Sequence, residues 1–124
     1  MNKSSLSVFV FGIYLIGLGA ILLVVPNLLL GIFAFPETQE VWVRVVGMLV
    51  FILGFYYATA GRNGLTAFLR VTVYGRMAVL LFFTAFVLLD FAPPVLILFG
   101  AIDAAGALWT ALSLRADARA AASP

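Results

Sequence analysis

The chain has 124 residues, of which 65% are hydrophobic, 15% aromatic and only 10% charged, with a formal net charge of +2. Soluble domains carry about a quarter charged residues, so a water-soluble globule is excluded; twelve Phe exclude a disordered chain. With no Cys and no His, a disulfide scaffold, a thiol nucleophile and a Cys or His metal site are excluded as well.

What remains is an all-α integral membrane protein, since only helices or closed barrels satisfy backbone groups in lipid and no segment alternates with the period of a barrel strand. The charged residues separate four apolar stretches near the ~20 residues that cross a hydrocarbon core of about 30 Å. The first, 6–25, has no charge and ends before Pro26; it reads as an uncleaved span because Val24-Val25-Pro26 is a poor signal-peptidase site. Residues 27–35 are too short to span and too apolar for water. They are expected to form a short interfacial helix, or to pack over the bundle mouth, ending at Phe35-Pro36.

The second span is placed at 41–60, with Glu37 and Glu40 before it as capping residues suited to its positive dipole end. Gly61-Arg62-Asn63-Gly64 predicts a turn. The third span covers 69–89 and contains Arg76. Ala92-Pro93-Pro94 links it to the fourth, 93–114, which contains Asp103, and residues 115–124 form a small-residue tail expected to fray. The chain is thus one transmembrane domain, a four-helix bundle. Lys3, Arg62, Arg70, Arg115 and Arg119 fall on one side; Glu37, Glu40 and Asp90 fall on the other. The positive-inside rule then puts both termini of this multi-pass chain in the cytoplasm. Trp42 and Trp109 read as interfacial anchors.

Helix contacts in lipid require close approach, so small residues repeated on one face mark packing surfaces. Gly12 and Gly19 in the first span, Gly47 and Gly54 in the second, and Gly100 and Ala107 in the fourth are the expected contacts.

Ionisable groups inside a bilayer are costly and are functional candidates by default. Asp103 lies near the midplane and needs a proton, a partner or water. Arg76 is the first candidate partner and Arg44 the second. Three readings stay open for Asp103. It could form a buried pair that fixes helix register, a ligand or ion site with Arg76, Tyr74, Tyr57 and Thr110, or a proton-coupled carboxylate. No catalytic residues, cofactor or metal ligands are assigned, and the few scattered basic residues exclude nucleic acid as a partner.

Arg44-Val45-Val46-Gly47 opens the second helix, Gly75-Arg76 lies in the third, and Gly100 to Asp103 followed by Trp109 lies in the fourth. In these features the chain resembles the DoxX-like superfamily of small bacterial four-helix membrane proteins. The resemblance implies a four-span domain and, as for some members, a place as a subunit of a membrane oxidoreductase system. The Cys pairs of redox relatives are missing. The leading expectation is a non-catalytic accessory or scaffold subunit, associating with itself or a larger membrane complex through its small-residue faces. The alternatives are a small dimeric transporter or channel built on Asp103 and Arg76, and a binding protein or isomerase for an apolar quinone-like or sterol-like ligand.

Overall fold

Five helices follow one another in the computed structural model, which describes residues 1–122: α1 (Lys3–Val24), α2 (Pro26–Ile32), α3 (Val41–Asn63), α4 (Thr66–Leu88) and α5 (Leu96–Ala122). All but α2 are long and apolar enough to cross a membrane. The surface supports that reading, because bulky apolar side chains such as Leu81, Leu88 and Phe91 are largely exposed. The protein is a four-helix bundle with a short helix between its first two long helices.

Local chemistry sets the helix ends. Asn2 caps α1, its side chain accepting from the Ser5 N–H at 2.9 Å. Pro26 has no N–H to continue α1, but its fixed φ suits the first position of α2. The loop after α2 is pinned by a reciprocal pair. Asn27 Nδ2 donates to the Thr38 carbonyl, and the Thr38 N–H returns a bond to Asn27 Oδ1, both at 3.0 Å. Gly64, at φ +60°, adopts the left-handed cap that closes α3.

Several boundaries differ from those expected from the sequence. Residues 61–63 are helical, leaving Gly64-Leu65 as the turn, because Gly61 is needed in a helix contact: a Cβ there would lie 2.7 Å from the Phe9 nitrogen. Glu40 occupies the N-cap position of α3 without a side-chain capping bond, and its N–H instead donates to Thr38 Oγ1 at 3.1 Å. The fourth span starts at Leu96, after a prolyl turn whose Leu96 N–H donates to the Pro93 carbonyl. The expected frayed tail is helical through Ala122, and its last two residues lie outside the described ones. One reason is visible. The Asp117 carboxylate accepts from the Ser4 N–H at 3.0 Å and the Ser4 hydroxyl at 2.6 Å, which ties the end of α5 to the start of α1.

The helices form two antiparallel pairs, α1 with α3 and α4 with α5, joined along the α1–α5 seam. In the first pair the glycines meet one another. A Cβ on Gly12 would lie 2.8 Å from the Gly54 carbonyl, one on Gly47 would lie 2.6 Å from the Leu23 nitrogen, and one on Gly19 would collide with the Phe51 backbone. Gly100 fills the same role in the second pair, against Leu80, and Ala107 is fully buried. By contrast α3 and α4, although consecutive, touch only slightly. The seam between them is therefore loose: at the terminal end Tyr57 meets Phe68 edge-on, ring centroids 5.8 Å apart, and toward α2 it opens.

Candidate functional site

The open part of the α3–α4 seam encloses a cavity of about 400 Å³ at the α2 end of the bundle. Leu29 and Leu30 of α2, with Phe35 behind them, close its end, and Phe33 and Phe35 both pack on Phe99 of α5. Val46, Val50 and Leu53 of α3 face Val79 and Phe83 of α4 across it, and α1 supplies Tyr14, Leu15 and Leu18. Aliphatic and aromatic side chains make up nearly all of the wall. Among the described residues, Asp103 is the only charged one in the lining, and Tyr14 is the only other one with a polar side-chain atom.

Arg76 has the opposite setting. It lies ten residues into α4, about 15 Å along the helix, and is only 1% exposed. Its Nε donates to the Thr72 carbonyl at 3.2 Å, while Nη2 donates to Thr72 Oγ1 at 2.9 Å and Thr110 Oγ1 at 2.8 Å. Thr110 Oγ1 lies 2.7 Å from Ser7 Oγ, which donates to the Ser4 carbonyl at 2.7 Å. The guanidinium carbon is 4.8 Å from the Phe11 ring centroid and 5.7 Å from that of Tyr57, within the range of cation–π attraction. All four long helices meet at this one side chain. Nη1 alone has no hydrogen-bond partner among the described residues; it packs beside Gly106, where a Cβ would lie 3.0 Å from it.

The expected Asp103–Arg76 ion pair does not form: among the described residues no carboxylate comes within 4.0 Å of a guanidinium. The cause is the direction of the side chains. Every helical Cα–Cβ bond leans toward its own N-terminus. On antiparallel helices Arg76 therefore leans toward the terminal end, onto Thr72 one turn back, and Asp103 leans the other way, into the cavity. A comparison of depths along the two helices ignores this divergence. Arg44 is not a partner either, because its Nη1 donates to the Leu23 and Val24 carbonyls at 2.6 and 3.1 Å, capping α1.

Of the sequence candidates, Arg76, Tyr57 and Thr110 come together, Asp103 stands in the adjoining cavity, and Arg44 and Tyr74 lie elsewhere; Tyr74 is 72% exposed. Ser7, Thr72, Phe11 and Gly106 complete the arginine cluster and were not singled out by the sequence. The signal for Thr72 was present, since it precedes Arg76 by four residues, one helical turn. Ser7 was hidden by its nearness to the terminus, although it shares a face with Phe11, four residues on.

No protein-family model, curated protein or solved structure matches this chain. Its chemistry has to be read from the two sites themselves. The cluster at Arg76 is filled by its own hydroxyls and rings. The cavity at Asp103 has apolar walls, the Asp103 carboxyl group and the Tyr14 hydroxyl.

Proposed function

We propose that the chain is an intramembrane binding protein for an apolar, quinone-like or sterol-like molecule, with Asp103 as the polar anchor. The observation that carries the reading is the cavity of about 400 Å³ in which a single carboxylate faces apolar walls. Its size falls within the roughly 300–1,000 Å³ of small-molecule sites, and few convergent polar groups on an apolar lining is their usual composition. The open seam between α3 and α4 favours a ligand drawn from the bilayer, since α2 and Phe35 cover the end toward water. Two features favour binding over the other roles. The glycine faces that would carry an accessory role pack against each other within the chain, and the Arg76 cluster fills the bundle beyond the cavity, where a channel would need to continue.

The proposed setting is the bacterial inner membrane, with both termini cytoplasmic. Its support is the grouping of Lys3, Arg62, Arg70, Arg115 and Arg119 at the terminal end, against Glu37, Glu40 and Asp90 at the other. Kinship with DoxX-like proteins belongs to the same proposal. It rests on the arginines and glycines of helices two to four.

Mass spectrometry of molecules that co-purify in mild detergent tests the binding role. Wild type should retain a discrete lipid-soluble species, and Val50→Phe, which grows into the cavity, should lose it while keeping its helix content. Bulk lipids in equal amount from both proteins would refute the reading.

A further inference from the structure

We infer that the ligand of the cavity is a neutral amphiphile with one hydroxyl head, an alcohol or phenol, that donates its hydrogen bond to Asp103. This rests on the binding role proposed above and adds the chemistry of the head group.

Three observations lead there. First, among the described residues no hydrogen-bond donor or cation reaches the Asp103 carboxyl group, which lines the cavity. An ionised carboxylate only accepts, so the ligand has to supply a donor.

Second, Arg76 and Asp103 are the only charged residues in the central turns of the four spans. Arg76 is charged at every accessible pH and fully buried, with no carboxylate within 4.0 Å. Asp103 supplies the one opposite charge in the same low-dielectric interior, although the two side chains diverge. A neutral ligand leaves that balance at zero. An ammonium head would leave an uncompensated positive charge in the membrane, and a carboxylate head would meet Asp103 with its own sign. Both are costly where solvent screening is weak.

Third, the remaining walls offer no second charged anchor. Beyond Asp103 and the Tyr14 hydroxyl they present rings and aliphatic chains, including Phe35, Phe83 and Phe99. One polar head and an apolar body is the shape that fits.

Native mass spectrometry of the full chain in mild detergent, with decanol, decylamine and decanoate as matched probes, tests this inference. Wild type should retain decanol about tenfold better than either charged probe, the ratio expected for one hydrogen bond to a charged acceptor. Asp103→Leu should lose that advantage. Arg76→Gln, which removes the fixed positive charge, should shift the preference to decylamine; if that variant does not fold, Asp103→Leu decides alone. A wild type that prefers decylamine or decanoate would overturn the neutral head but leave the cavity as a binding site. No retention of any probe above the level of Val50→Phe would overturn both.

Discussion

The two seams made by α3 differ sharply. Against α1 it presents Gly47, Gly54 and Gly61, and the two backbones approach until no Cβ would fit between them. Toward α4 it presents Val43, Val46, Val50 and Leu53, and a cavity opens. Lipid tails are as apolar as leucine, so bulky apolar residues gain little by touching each other rather than lipid, whereas backbones brought close by glycine gain dispersion and packing. The same helix therefore seals one seam and leaves the other open, according to side-chain volume.

The largest break in that contrast should come at Gly54. A Cβ there would lie 2.7 Å from the Ile16 nitrogen and 2.8 Å from the Gly12 carbonyl, backbone atoms that cannot rotate aside. Gly54→Val should cost about 3 kcal/mol, read as a lower unfolding midpoint in detergent. Added volume at Val50 enters the cavity and should cost no more than about 1 kcal/mol. Gly75, where an added methyl would find no atom within 4 Å, is the control: Gly75→Ala should raise stability by roughly 0.5 kcal/mol through helix propensity.

A middle-sized effect is expected at Thr110, where α5 meets α1 and α4. Thr110→Val keeps the shape but removes one of the two acceptors of Arg76 Nη2 and one of the two partners of the Ser7 hydroxyl. The loss should be about 2 kcal/mol, the cost of leaving a buried donor unmet. Ser7→Ala in the same background should add little, because that bond is already gone, and a double-mutant cycle measures the difference.

The smallest effect should appear at Asp117, beyond the apolar stretch that ends at Leu114. Hydrogen bonds, first from the Ser4 hydroxyl and also from the Ser4 and Lys3 N–H groups, hold its carboxyl below the usual carboxylate range. A folded-state value lower than the unfolded one means stability present above the ordinary value of about 3.9 and lost as pH falls through it toward the folded value. Wild type should therefore lose a little stability in acid from about pH 4 downward. Asp117→Asn should lack that component, seen as a flatter midpoint-against-pH curve.

Much of the architecture was legible in the chain. Apolar length between charges placed four spans, Pro26 placed the break before α2, and glycines at heptad spacing marked the α1–α3 seam. Each is a local property, fixed by helix geometry or by one residue's backbone chemistry. The candidate site was legible only in part. Arg76, Asp103, Tyr57 and Thr110 stood out by residue type, but their grouping did not, because spacing along one helix does not give the direction in which a side chain leans on its antiparallel neighbour.

Four helices fit to cross a membrane thus follow from composition and periodicity alone, since so few charges cannot clothe a soluble globule and a backbone in lipid is satisfied within each helix. The separation of Asp103 from Arg76, the gathering of four helices on one guanidinium, and the cavity between α3 and α4 were decided by tertiary packing. They depend on which faces meet and how closely, and the side-chain volume on each face sets that.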